Sequence, residues 1–206
     1  MSRTVYTIGH SNHSVDRFME LLCEHGITAV ADVRSQPYSR FSPQFNRETL
    51  KGALHNAGIS YVFLGRELGA RSDDAECYQD GKVDYSRIAQ TALFQSGLDR
   101  VEGGAEAYHL SLLCAEKEPL DCHRTILVSR HLVDRGLRVR HILADGTVEE
   151  HADTIARLLR QTGLPDSDLF RSREMLEAEA YDLQGARIAY QRPEETSRPA
   201  GHVEDL

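Results

Sequence analysis

From residue 4 to about residue 143, short apolar runs alternate with stretches in which apolar residues recur every three or four positions. The runs at 5–8, 27–33, 59–64, 108–113 and 139–143 have the length and composition of strands. The 27–33 run is apolar at nearly every position, as befits an interior parallel strand covered on both faces. The periodic stretches between the runs predict helices. Val15, Phe18, Leu21 and Leu22 share one face, with Ser14 as N-cap and Gly26 as stop. Leu50, Ala53, Leu54 and Ala57 do the same between a capping Asn46 and Gly58. Asp84 opens a third helix through Ile88, Ala92 and Leu93 toward Leu98 and Val101, and 125–135 is a fourth, stopped by Gly136. This alternation predicts an α/β fold: a mostly parallel sheet of about five strands, joined by right-handed crossovers, with helices on both faces.

The remaining segments complete the domain plan. Residues 65–83, rich in Gly, Asp and Arg, read as a long loop, and Asp145-Gly146 as a turn that can pair Val148 back onto the last strand. Ile155, Leu158 and Leu159 predict a helix ending at Gly163, so the α/β domain is expected to span 1–163. A helical extension over 164–190 would bury Met175, Leu176, Ala180, Leu183 and Ile188. Residues 191–206 contain two prolines and four acids with little to bury, which predicts a disordered tail.

A net charge of −8 removes any global attraction to nucleic acid or anionic lipid. No apolar run approaches the roughly 20 residues that cross a bilayer, and the N-terminus enters a strand pattern with no signal-peptide core. The four cysteines (Cys23, Cys77, Cys114, Cys122) are scattered, as free thiols in a reducing compartment would be. The expectation is a cytoplasmic protein with no membrane partner; oligomeric state is not legible.

In a parallel sheet the residues just past each strand gather along one rim. The rule assembles Gly9-His10-Ser11, Asp32-Val33-Arg34-Ser35, the loop after Leu64, and the span from Cys114 to Arg124. The second of these loops is basic, with Arg34, Arg40, Arg47 and Lys51 against Glu48 alone, and carries Tyr38, Phe41 and Phe45 among the charges. It reads as a wall that grips an anion, although solvated arginines around core-pinning aromatics would give the same pattern.

Cys114 has three competing readings. It is a nucleophile whose pKa the following helix and Arg124 depress, with His10 and His123 moving protons. It is a ligand joining Cys122 and a histidine on a soft metal. Or it is one more buried cysteine. The spacing lacks a C-x2-C knuckle and Cys122 and His123 are adjacent, so no metal ligand is assigned and the cofactor is left unknown. The candidate catalytic set is Cys114, His10, Asp32, Glu116, Cys122 and His123. The candidate substrate-binding set is Arg34, Ser35, Arg40, Arg124, Ser11, Gln44 and Asn46. Asp32 either orients Arg34 or His10, acts as a base, or accepts loop amides. The other eight histidines, His141 and His151 among them, read as structural.

These residues carry a resemblance. Thr7-Ile8-Gly9-His10-Ser11, Asp32-Val33-Arg34-Ser35 with Pro37 and Ser39-Arg40-Phe41, Pro43-Gln44-Phe45-Asn46, Tyr61-Val62, Leu113-Cys114-Ala115-Glu116 and Cys122-His123-Arg124 resemble, in order, an uncharacterised bacterial family, domain of unknown function 488. That likeness implies a site map without a reaction. Asp32-Val33-Arg34, a strand ending in Cys114, a loop, a helix and a final strand also resemble rhodaneses, implying a rhodanese-like or Rossmann-like sheet. Nine residues separate Cys114 from Arg124 here, where rhodaneses use about five. Together these readings describe an enzyme with a Cys/His/Arg pocket acting on an anionic small molecule or nucleotide, a thiol-dependent transferase or hydrolase. The alternatives are a nucleic-acid-associated module or a metal-binding protein.

Overall fold

The computed structural model describes residues 3–193. A six-stranded sheet is built from β1 (Thr4–Gly9), β2 (Ala29–Asp32), β3 (Ser60–Phe63), β6 (Leu110–Cys114), β7 (Arg138–Ile142) and β8 (Val148–Glu150), in the order β3-β2-β6-β1-β7-β8. Five strands are parallel, and the sixth is the antiparallel edge that the Asp145-Gly146 turn brings back onto β7. Helices α1 (Val15–Glu24) and α2 (Arg47–Asn56) cover one face, where Phe18, Leu22 and Leu54 meet Ile8, Val30 and Leu113. The other face carries α3 (Gly65–Leu68), α4 (Tyr85–Gln90), α5 (Ala92–Ala107) and α6 (Arg130–Asp134). There Phe94, Leu98 and Val101 meet Val5, Ala31, Leu110 and Leu112.

The chain moves outward from β1 to β2 to β3, then returns to insert β6 between β2 and β1 before leaving in the other direction through β7. That reversal at β6 is the type of switch point at which open α/β sheets place ligands beyond the strand ends. The order departs from the 3-2-1-4-5 arrangement of the Rossmann fold because β6, not β1, sits beside β2. Register then brings the strand ends level: Gly9 pairs with Cys114, and Asp32 with Leu113.

Several predicted details change. Ser14 caps α1 by accepting a hydrogen bond from the Arg17 amide. Asn46 precedes α2 but its Oδ1 accepts from the Ser39 amide, tying down the basic loop instead of capping. The helix predicted from Asp84 is two helices, because Thr91 stops α4 and caps α5 through Phe94 N–H. The 65–83 loop contains α3 and a two-stranded hairpin, β4 (Tyr78–Gln79) and β5 (Lys82–Val83). After α7 (His151–Thr162), the extension forms α8 (Arg173–Ile188). It buries Leu176, Ala180, Tyr181 and Gln184, while Met175 and Leu183, expected inside, are exposed. Of the stretch expected to be disordered, Gln191 bridges to Lys82 and Arg192 N–H donates to the Gly81 carbonyl at 2.8 Å. Residues 194–206 lie outside the described residues.

A buried polar chain ties α7 and α8 to the sheet. His141 Nδ1 and Thr7 Oγ1 lie 2.8 Å apart, His141 Nε2 and His151 Nδ1 3.0 Å, and His151 Nε2 and the Tyr181 hydroxyl 2.7 Å. The His141–His151 bond takes one proton, while the outer nitrogen of each ring faces a hydroxyl that can either donate or accept. Protonating both rings would face two N–H groups at one another across the His141–His151 bond. Burial is the main reason both histidines are held below their usual range, His151 at about 4, with repulsion from His151, Arg124 and Arg157 also lowering His141. The unfolded chain therefore binds protons near pH 6.5 that the folded chain refuses. Stability should fall as pH drops from about 6.5 toward 4, with a slope of up to about 1.4 kcal/mol per pH unit for each such histidine. Urea midpoints for wild type and His151→Phe at pH 7 and pH 5 check this: acid should cost the variant less. Equal losses would remove His151 from the account.

Candidate metal centre

Cys114 ends the central strand, and its side chain lies on the same face as Leu110 and Leu112. The chain then leaves the sheet in a loop whose return, a short turn at Pro119–Asp121, brings Cys122 and His123 back beneath the strand end. Beyond them runs a widened π-type helical segment, Arg124–Ser129, which feeds α6. Such widened turns are rare and recur at functional sites. The adjacency of Cys122 and His123, which argued against shared ligation, is accommodated here: both side chains reach the same point from this turn.

Four side chains converge: Cys114, Glu116, Cys122 and His123 present donor atoms all within 4.8 Å of one another. Cys114 Sγ lies 3.6 Å and Cys122 Sγ 4.0 Å from His123 Nδ1, and the Cys122 thiol donates to Glu116 Oε2 at 2.9 Å. Both cysteines and His123 are buried. Glu116 sits on the exposed outside of the loop but turns its carboxylate inward.

The histidine is oriented from behind. Its Nε2 lies 3.0 Å from the Val33 carbonyl oxygen. A carbonyl only accepts, so Nε2 carries the proton and, in the neutral ring, Nδ1 offers a bare lone pair toward both sulfurs. A carbonyl behind the ring in this way is the usual support of a metal-ligating imidazole. Bond lengths of a zinc-like ion give tetrahedral S···N edges of about 3.5 Å, close to the distances found here. The contact of Cys122 with Glu116 is shorter, because a thiol proton bridges it.

Electrostatics distinguish the two thiols. Burial pushes Cys114 well up, and hydrogen bonding to Cys122 adds to that. Cys122 meets the same burial, but the hydrogen bond from Cys114, the Arg124 charge and His123 outweigh it and bring the thiol to about 6. Cys122 Sγ also accepts the Arg124 amide at 3.4 Å, so it is Cys122, not Cys114, that the following helical segment stabilises as a thiolate. Burial opposes charge on Glu116 as well, yet hydrogen bonds from both thiols and the charge of His123 hold it at about 2. His123 is raised despite burial, by its contact with Cys122.

The other candidate residues take different positions. Arg124 is fully buried, and its guanidinium donates to the carbonyls of Glu116 (2.7 Å) and Lys117 (3.3 Å), fastening the loop rather than facing a ligand. A Cβ on Gly9 would overlap the Glu116 carbonyl, so only glycine lets the loop fold over the end of β1. Asp32 holds Arg34 through bonds of 2.8 and 2.6 Å and accepts the Tyr61 hydroxyl at 2.9 Å, which occupies both oxygens. Its place is that of an orienting acceptor.

His10 stacks on Phe45 at 4.4 Å and directs Nδ1 to the Ser11 carbonyl. Burial lowers it. Ser11 bonds Asn12, and Gln44 reaches the His13 carbonyl. Arg40 lies exposed over Phe41, away from the cluster's cavity. Arg47 covers Phe63, so the basic loop does not present its cations as one surface.

A cavity of about 250 Å³ opens onto Cys114, Glu116 and His123, walled by Arg34, Ser35, Arg71, Tyr85 and Tyr190. Arg71, Tyr85 and Tyr190 were not foreseen. Gly65 and Gly69, each pressed too close to its neighbours to admit a Cβ, are the sequence signal that places the Arg71 loop against the rim. No helix among the described residues is long and apolar enough to cross a membrane.

No curated protein and no solved structure matches the chain. A family model described as "Domain of unknown function DUF488" matches residues 14–131 of 206, more than half of the chain, including β2, β6 and all four converging side chains. The chain therefore belongs to the DUF488 family.

Proposed function

We propose that the protein binds a transition-metal ion of the zinc class through Cys114, Cys122 and His123, with Glu116 as a fourth, exchangeable ligand. The observation that carries this reading is the Val33 carbonyl behind His123, which directs Nδ1 at two buried sulfurs. Thiolates and imidazole suit such an ion, and a single carboxylate on an exposed loop is the ligand most easily displaced. Once bound, the ion would supply a Lewis acid facing the cavity. The protein's own residues hold the thiolates, fix the imidazole tautomer and restrict water around the sulfurs.

A second reading has its own support. Without a metal, Cys122, brought down to about 6, sits against a His123 that this contact raises, the thiol–imidazole pairing that activates a thiol for nucleophilic chemistry. Arg124 speaks against the rhodanese form of that chemistry, since its Nη1 and Nη2 already serve loop carbonyls and the loop is too long for a tight anion cradle.

Adding cobalt(II) to the metal-free protein separates the two. Metal binding predicts one ion per chain, an intense thiolate-to-cobalt charge-transfer absorption, and protection of Cys114 and Cys122 from alkylation. Absence of that absorption, with Cys122 alkylated rapidly at neutral pH, would reverse the order of the readings.

A further inference from the structure

The cavity beside the cluster carries two guanidinium groups in different states. Arg34 is spent on Asp32. Arg71 stands at the exposed rim with no carboxylate partner among the described residues. It is nevertheless held in place: its Nη1 donates to Gln36 Oε1 at 2.7 Å, its amide donates to Ser35 Oγ at 3.0 Å, and its Cζ lies over the Tyr190 ring, 4.2 Å from the centroid.

Tyr190 comes from the segment after α8, outside the residues that match the family. That segment is fixed against the β4–β5 hairpin through Val83 N–H to the Tyr190 carbonyl (2.9 Å) and Arg192 N–H to the Gly81 carbonyl (2.8 Å). The C-terminal extension therefore completes the wall of the cavity and stacks its aromatic ring under an uncompensated cation.

We infer that this cavity is a subsite for a small oxyanion, a carboxylate or a phosphate, gripped by Arg71 above the Cys114–His123 floor. The inference rests on the proposed metal site only for what lies beneath the anion. A guanidinium pre-positioned by stacking offers its remaining N–H groups in the fork that fits two oxygens. The space of about 250 Å³ is smaller than the pockets that take drug-sized ligands, which limits the occupant to a few heavy atoms beyond the anionic group. Glu116 and Asp121 also line this space. A polyanion such as a nucleoside triphosphate is thereby disfavoured against a singly or doubly charged ligand.

The test titrates acetate and inorganic phosphate separately into full-length protein loaded with cobalt(II), following heat and the visible spectrum. Saturable binding of one or both anions is expected in wild type, and which one binds decides between the two oxyanions. Arg71→Met should weaken binding roughly tenfold or more, as loss of a charge-assisted pair requires, while the metal stoichiometry stays unchanged. Tyr190→Ala should weaken it less. Arg71→Lys should restore only part, since it returns the charge without the fork. No anion binding in wild type, or equal affinity in Arg71→Met, overturns the subsite and leaves the metal site standing. If no metal loads, the metal proposal falls, and the same titrations on metal-free protein still decide the role of Arg71.

Discussion

Replacing Cys122 by serine is expected to reduce metal affinity by well over 100-fold, more than the 10–100-fold that loss of an outer-shell partner costs. Three features converge on this sulfur: it is buried, it is held near the thiolate form, and it touches both Glu116 and His123. Serine keeps the volume and a hydrogen bond to Glu116, so the fold should survive. What disappears is a soft anionic donor, because a serine hydroxyl stays protonated where the thiol does not. Competition against a chelator of known affinity, at fixed pH, measures the loss directly. His123→Gln should fall in the same range, since it removes the nitrogen while the Val33 carbonyl still has an amide N–H to accept. If Cys122→Ser retains metal within about tenfold of wild type, the ion sits elsewhere or Cys122 is not a ligand.

That cluster was only partly legible along the chain. Alternating strand and helix periods were enough to place Gly9, Asp32 and Cys114 at neighbouring strand ends, because parallel pairing aligns them whatever the loops do. The metal geometry was not legible, because it depends on the path of residues 115–121. A C-x2-C knuckle announces its metal through local turn geometry. Here two ligands eight positions apart meet only because Pro119–Asp121 turns the chain back and Arg124 fastens the loop's carbonyls from below. The thiol with the lowered pKa was also misplaced for a physical reason. Cys114 precedes the helical segment in space as well as in sequence, yet it is Cys122 whose sulfur accepts that segment's first amide. Arg71 and Tyr190 escaped for another reason: Arg71 lies in a loop with no periodicity, Tyr190 lies two residues past the end of α8, and only the fold brings the two together.

The basic loop shows how composition misleads when pairing is unseen. Four cations against one acid suggested an anion-gripping wall, but Asp32, which lies outside that window, neutralises the most buried of them. Asp32→Ala is therefore expected to act on stability before it acts on any ligand. The substitution strands the Arg34 guanidinium, largely buried, without its partner, and removes the acceptor of the Tyr61 hydroxyl and the Arg34 amide. Breaking a buried pair from one side typically costs about 3–5 kcal/mol. For a chain of this length each kcal/mol lowers Tm by roughly 2–4 °C, so a fall of roughly 6–20 °C should appear in a thermal scan. The paired replacement Asp32→Ala with Arg34→Met should recover much of that loss, since neither charge is then left uncompensated. A general base would behave differently: its removal would leave Tm within a degree or two, and a second change at Arg34 would bring nothing back. Recovery in the double variant, with metal still bound, would identify Asp32 as the residue that orients the rim of the cavity.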